Sequence, residues 1–313
     1  MTKEAFIKEN LVNPITGSKV KSISNDEIIF SCNTKFPLKS KIPVVINESK
    51  SIFTIKDILS VKFTTQNSSY RKNSLKNNIR KNLLPALSKD FTQKKRYNNL
   101  SKKFANKNIL VIGSGDKVEY YNEVFKNSLV INSDVHLQFK PDIVFDAHEI
   151  PFKEESFDLV VASQVLEHTF KPWEVANEIQ RVTKIDGEIL IEIPFNFQYH
   201  SPPYDFFRFT FTGLRSLFQK SELIYYEAPE GKAATIANAN SSFFIELFSN
   251  RFLRMIALFL SRIVFGLTKY IDLLYSSTSL KSTVLAKGIV MIFKKDDRER
   301  QNIELLEDYF NLK

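Results

Sequence analysis

The stretch NILVIGSGD, residues 108–116, decides how the chain folds. Four aliphatic residues, Ile109 to Ile112, stop at a Gly-Ser-Gly turn. That is the pattern of a buried strand whose carboxyl end turns sharply and brings backbone N–H groups close to a ligand. Lys117 to Phe125 predicts a helix, which places the turn at a helix N-terminus. LVINSD (129–134) predicts a second strand, and its terminal Asp134 falls where a carboxylate can accept hydrogen bonds from both hydroxyls of a ribose. DIVFDA (142–147) and FDLVVAS (157–163) continue as third and fourth strands, the latter running into Gln164, Val165, Leu166, Glu167 and His168. Pro172 suits a first helical position, with Val175, Ile179 and Val182 on one face of the helix it opens. Asp186-Gly187 closes that helix, and EILIEI (188–193) is a fifth strand. Strands alternating with helices predict an α/β fold with a doubly wound, mostly parallel sheet and ligands at the carboxyl ends of its strands. Asp134, Asp146 and the pair Glu167-His168 all fall at such ends.

The segments Asp-Ala-x-x-x-Pro-Phe from Asp146, Ser-Phe-Asp-Leu-Val from Ser156, Leu-Glu-His at 166–168, Pro172-Trp173 and Arg-Val-x-Lys-x-x-Gly from Arg181 occur in that order. From about Asn108 to Leu217 the chain thereby resembles class I S-adenosylmethionine-dependent methyltransferases. The resemblance implies a seven-stranded Rossmann-like sheet with S-adenosylmethionine as cofactor. It also implies that Gly113 and Gly115 approach the methionine end and that Asp134 holds the ribose. Asp146 and Ala147 would then lie beside the adenine, with Ser163 and Gln164 along the sulfonium side. Two positions depart from the family pattern. Val111 stands where an acid is usual and Lys117 where a third glycine is common, so a cofactor-binding domain without catalysis is one alternative. A dehydrogenase fits worse, because Val118 replaces the third glycine of that fingerprint.

The segment 195–214 carries Tyr199, His200, Tyr204, Asp205 and Arg208 and leads into a helix capped by Thr210 or Thr212. It resembles the Asp-Phe-x-Arg-Phe-Thr segment of a methyltransferase branch often found among surface-glycan genes. The implied reaction is O-methylation of a glycan, lipid-linked or small-molecule acceptor, with Tyr199, Tyr204, Asp205 and Arg208 as substrate residues. Asp205 and Arg208 can equally pair to brace the loop. His168 and His200 are the candidate general bases; His168 can instead be structural, and a carboxylate acceptor needs no base.

The whole chain has 313 residues, 44 Lys+Arg against 35 Asp+Glu, and one Cys, which excludes a disulfide framework and a cysteine-rich metal site. Between Ser69 and Lys107 lie twelve basic residues and one acid, so the net charge of +9 belongs to that segment. This motivates RNA methylation as a second alternative, although the segment has few aromatics to stack bases, and nucleic acid is the less favoured partner. Residues 1–50 resemble a short zinc-ribbon module in which the metal positions read Asn13, Thr16, Ile29 and Cys32. One thiolate cannot hold structural zinc, so no metal is expected. Ile28, Phe30, Phe36, Val44 and Ile46 should hold this module, with Cys32 as an inert small hydrophobe. Residues 51–107 then form a basic, partly helical connector and 108–296 the methyltransferase domain. Within that domain lies an apolar helical insertion at 241–275, and a helix closes the chain at 297–313. Arg254, Arg262 and Lys269 interrupt the insertion, so it is no membrane span. It is expected to cover the acceptor pocket, as a lid or homo-oligomer contact, or to lie in a membrane interface through 252–275 with its cationic side outward. The N-terminus shows no signal peptide, which predicts a cytoplasmic protein with or without peripheral membrane contact.

Overall fold

The computed structural model describes residues 1–60 and 85–311. The chain opens with helix α1 (Lys3–Asn10), capped by the Thr2 hydroxyl, and a small antiparallel sheet. That sheet runs in the order β1 (Val20–Ile23), β2 (Glu27–Phe30), β3 (Lys35–Lys39), β4 (Ile42–Pro43). Helix α2 (Ile55–Ser60) follows. Most of the basic segment's N-terminal half, 61–84, lies outside the described residues. Its C-terminal half packs on the main sheet. Helix α3 (Gln93–Lys103) buries Arg96, Tyr97 and Leu100 against the main sheet, in one cluster with Phe104, Ile109, Val111 and Tyr121.

Among the described residues the main sheet has seven strands, as expected. They are β5 (Asn108–Ile112), β6 (Leu129–Asp134), β7 (Ile143–Val144), β8 (Phe157–Ser163), β9 (Thr183–Pro194), β10 (Ser221–Glu227) and β11 (Gly288–Lys295). Their spatial order is β10-β11-β9-β8-β5-β6-β7. The strands from β9 to β7 are parallel, and β11 runs antiparallel between β9 and β10. Strand β8 shows almost no alternation of burial, because helices cover both faces of a parallel sheet. The covering helices include α4 (Val118–Val124) and α5 (Pro172–Val182), the latter opening on Pro172 and burying Val175, Ala176, Ile179 and Val182. Helix α5 ends at Val182, not at Asp186-Gly187, because Thr183 is already extended and β9 starts there. Asp186 is left-handed (φ 63°), and a Cβ on Gly187 would lie 2.9 Å from the Asp158 and Lys184 carbonyl oxygens.

The N-terminal unit is welded to the edge of this sheet. Val45 N–H donates to the Val144 carbonyl of β7, and Val12 N–H donates to Pro151. Phe6 packs its ring on Phe152 and Phe157, and Ile28, Phe30, Phe36 and Val45 share a continuous core with Leu110, Ile112 and Val160. The unit therefore covers an edge strand that would otherwise present unpaired backbone groups. Cys32 is not an inert hydrophobe. Its sulfur is exposed and accepts hydrogen bonds from Ser18 (3.0 Å), Thr16 (3.4 Å) and Asn13 (3.5 Å). Hydrogen bonds with Ser18, then Thr16 and Thr34, hold its pKa down at about 6. Asn13, Thr16 and Cys32 thus converge, while Ile29 lies in β2 and makes no such contact.

Beyond β9, helix α6 (Phe211–Arg215) is capped by Thr210, whose hydroxyl accepts from Gly213 N–H. After β10 come α7 (Lys232–Glu246), α8 (Arg251–Phe265), a 3-10 segment (Thr268–Leu274) and α9 (Leu280–Thr283). Helix α10 (Asn302–Phe310) closes the fold behind a capping box of Gln301 and Glu304. In α8 the orientation is the reverse of a globular helix. The small residues Ala257 and Ser261 face the protein, as do Gly266 just past its end and Lys269 in the 3-10 segment, while Phe252, Phe259 and Val264 stand 65%, 50% and 62% exposed.

Candidate functional site

A cleft opens over the carboxyl ends of β5, β6, β7 and β8. Its floor is Ile112 and Gly113. Gly113 is left-handed (φ +64°), and a Cβ there would meet Val165 Cγ2 at 2.7 Å, so only glycine lets the backbone line the cleft. Asp134 lines it from the end of β6. Its carboxylate organises the loop, accepting from Gly115 N–H (2.8 Å) and His136 N–H (2.9 Å). Gly115 therefore supports Asp134 and does not line this cleft.

Asp146 and Ala147 line the same cleft from the end of β7. Asp146 accepts from His148 Nδ1 (2.6 Å), His148 N–H (3.0 Å) and the Ser51 hydroxyl (2.5 Å). Lys171 N–H donates to His148 Nε2 (3.1 Å), so the ring proton sits on Nδ1 and points at Asp146. Burial works to raise the Asp146 pKa, and the bonds from His148 and Ser51 outweigh it and hold the group below the usual carboxylate range. Gln164, left-handed at φ 57°, lines this cleft and also a second hollow of about 750 Å3. Ser163 lines only that second hollow, with Lys117, and its hydroxyl donates to Glu192 (2.6 Å). Glu192 is in turn fixed by Arg96, which also reaches Asp90 and Glu227.

The acceptor-side residues separate into two groups. His168 and Tyr204 line the cleft. Tyr199 is 64% exposed and does not. Asp205 and Arg208 brace the loop: the Asp205 carboxylate is fully buried and takes both terminal nitrogens of Arg208, whose remaining donors go to the carbonyls of Phe197, Gln198 and Phe207. With those groups spent inside the loop, the structural alternative holds for this pair. His200 sits behind His168, ring centroids 4.9 Å apart. Burial lowers the pKa of both histidines, which keeps them neutral near pH 7.

Sequence patterns missed two participants. Ile52 and Phe53, from the arm between the small sheet and α2, roof the cleft, and Phe53 stacks on Tyr204 at 5.9 Å and meets His136 edge-on. Glu167 is wholly buried, and burial pushes its pKa up to about 8. The insertion 241–275 contributes no residue to the cleft, so it is not the lid expected for it.

Residues 112–191 match a family model described as a methyltransferase domain, a span running from the end of β5 into β9. Among solved structures, phosphoethanolamine N-methyltransferase 2 from Haemonchus contortus in complex with S-adenosyl-L-methionine is 14% identical, with a TM-score of 0.40 over 65% of this chain and 53% of that one. Coclaurine N-methyltransferase bound to N-methylheliamine and S-adenosylhomocysteine is 12% identical, with a TM-score of 0.40 over 66% of this chain and 72% of that one. No curated protein sequence matches the chain. The matched segment lies within a seven-stranded, mostly parallel sheet of the Rossmann-like kind.

Proposed function

We propose that the protein is an S-adenosylmethionine-dependent methyltransferase acting on an oxygen of a glycan, lipid-linked or small-molecule acceptor. One observation carries the cofactor assignment: inside the matched segment, a left-handed glycine whose added Cβ would clash with Val165 and an acid at the next strand's end line the same cleft. Asp134 would receive the ribose hydroxyls, and Asp146, Ala147 and the apolar wall of Ile52, Phe53 and Phe145 would enclose the adenine. The cofactor supplies an electrophilic methyl group on a sulfonium. The chain's part is to hold cofactor and acceptor in line and to exclude water, which the roof of Phe53 and Tyr204 is placed to do. Tyr204 and His168 mark the acceptor end, with Gln164 between the two hollows. Calorimetry with S-adenosylmethionine and S-adenosylhomocysteine tests this: binding is expected, and Asp134→Ala should weaken it at least tenfold. Absence of binding by both ligands overturns the proposal, and binding without turnover on any acceptor favours a domain that has lost catalysis.

The reversed helix supports a place for the reaction. No described helix is long and apolar enough to cross a membrane. Yet α8 turns its large apolar side chains to solvent, with exposed Arg251 and Arg254 at its start. The inward polar groups are spent internally: Ser261 of α8 bonds Ser241 (2.8 Å), and Lys269 of the 3-10 segment donates to Ala86 (2.8 Å). Asp272, just beyond, accepts from Gly231, Ala233 and Ala234 at the head of α7. The occupant proposed for this surface is an anionic lipid interface, which takes the apolar side chains into its acyl boundary and the arginines at its headgroups. Flotation should carry the protein with anionic vesicles, and Phe252→Ser/Phe259→Ser should leave it in the soluble fraction. A concentration-dependent dimer with no flotation would overturn the lipid assignment.

A further inference from the structure

From the geometry at the end of β8, we infer that Glu167, His168 and His200 form a site for a borderline divalent transition-metal ion such as Zn2+. Each offers a ligand atom, and all three atoms lie within 4.8 Å of one another. A tetrahedral ion with bonds of about 2.1 Å needs its ligands roughly 3.4 Å apart, so closing the set takes about an ångström of side-chain movement.

Two observations independent of that proximity point to a cation. Glu167 is 0% exposed, and neither carboxylate oxygen has a hydrogen-bond partner. The Nε2 of His168 lies 3.7 Å from Glu167 Oε1, beyond hydrogen-bond distance. A buried acceptor pair with no donor is costly and uncommon. Its backbone is fixed, because the Glu167 carbonyl accepts from Phe206 (2.8 Å) and Phe207 (3.2 Å), so the side chain cannot leave by unwinding the turn.

Second, both histidines are oriented as ligands are. His168 Nδ1 bonds the Tyr204 carbonyl, which places the proton on Nδ1 and leaves the Nε2 lone pair free. His200 Nδ1 lies 3.2 Å from the Asp205 carboxylate and 3.3 Å from the Gln198 carbonyl, either of which can take its proton and leave Nε2 to ligate. Arg208 also approaches that nitrogen, at 3.1 Å, but already donates to Asp205 and Gln198. A carbonyl or carboxylate on the far nitrogen is the usual second layer of a metal-binding histidine. Asp205 and Arg208, which do not line the cleft, thereby gain a role in positioning His200.

A set of two imidazoles and one carboxylate leaves a coordination position open, as catalytic sites do. Because His168 lines the cleft, the open position faces the acceptor end. The class of ligand it would take is an oxygen donor, a hydroxyl or carboxylate of the acceptor. That last step rests on the methyltransferase proposal above; the cation site itself does not.

The test uses Co2+ as the probe with the full-length, metal-stripped protein, followed by visible absorption and displaced by Zn2+. One equivalent is expected, with the intense d–d bands of a four- or five-coordinate ion. Glu167→Gln and His200→Ala should each weaken binding at least tenfold with unchanged circular dichroism; His200→Ala lies on a half-exposed loop and guards against misfolding of the Glu167 variant. Cys32→Ser should leave the spectrum intact. No stoichiometric binding, binding unchanged in both ligand variants, or loss in Cys32→Ser overturns the assignment. Binding of S-adenosylhomocysteine is measured in parallel on the wild type. Its failure beside intact Co2+ binding refutes the methyltransferase proposal alone, and the converse refutes the metal site alone.

Discussion

Replacing Gly113 by alanine probes the geometry on which the cofactor assignment depends. Two costs add. A non-glycine residue at φ +64° costs roughly 1–2 kcal/mol. The new methyl would lie 2.7 Å from Val165 Cγ2, an overpacking that costs about 1–3 kcal/mol when the neighbour cannot yield. Val165 cannot easily do so, because a β-branched side chain has few χ1 alternatives. Gly115 provides the control: it is also left-handed (φ +53°), but a Cβ there meets nothing within 4 Å. Gly113→Ala should therefore lose about 2–5 kcal/mol in urea unfolding, and Gly115→Ala only about 1–2 kcal/mol. The difference between them isolates the clash. Adding Val165→Ala to Gly113→Ala should return part of it as a favourable coupling of about 1–3 kcal/mol. It should not restore binding of S-adenosylhomocysteine, since the added methyl stays in the cleft floor. If Gly113→Ala costs no more than Gly115→Ala, or the double variant shows no coupling, the close approach of the two segments is refuted.

Arg96→Met should destabilise the chain by about 3–5 kcal/mol, because it leaves the carboxylates of Asp90, Glu192 and Glu227 around an uncharged side chain; a loss below about 1 kcal/mol in chemical denaturation would show that the hub is not a charge network. Alkylation of Cys32 by iodoacetamide should follow the thiolate, rising as pH increases through about 6 rather than through the usual thiol range, and Ser18→Ala should move the midpoint upward. A midpoint unmoved by Ser18→Ala would exclude that hydroxyl as the cause. Phe53→Ala removes the ring stacked on Tyr204 and should weaken S-adenosylhomocysteine binding up to about tenfold, from a stacking contribution of about 0.5–1.5 kcal/mol, with little effect on the melting temperature. Equal affinity in calorimetry would mean that the arm does not roof the bound ligand.

The parallel core was legible in the sequence because each of its signals is local. A buried strand is an unbroken apolar run, and its end is marked by glycine or an acid within a few residues, so Gly113, Asp134 and Asp146 could be placed without tertiary information. What could not be read is what other segments do to those ends. Ser51 reaches Asp146 across 95 residues of chain, and Phe53 meets Tyr204 from further still. Nothing in the pattern of either segment encodes the meeting. Ser163 follows the same logic: its place at a strand end was legible, but not that Glu192 would hold its hydroxyl away from the main cleft.

The insertion shows the limit most sharply. Helical periodicity separated the polar side of α8 from its apolar side, but periodicity is silent on which side meets the protein. The ordinary rule, apolar inward, rests on the assumption that polar groups have only water as a partner. Here they have better ones. Ser241 waits for Ser261, the Ala86 carbonyl for Lys269, and the open N-terminus of α7 for Asp272. Each satisfied polar contact buried against the body turns a large apolar side chain outward on the opposite face. The same partners thus explain both why polar groups pack inward and why, among the described residues, nothing covers the apolar face. Disrupting them should therefore loosen the insertion from the body without removing its affinity for lipid. Asp272→Ala, which strips the cap from α7, should raise proteolysis within 232–275 while leaving flotation intact. Loss of flotation with no change in proteolysis would separate the two properties and refute this account of the reversed helix.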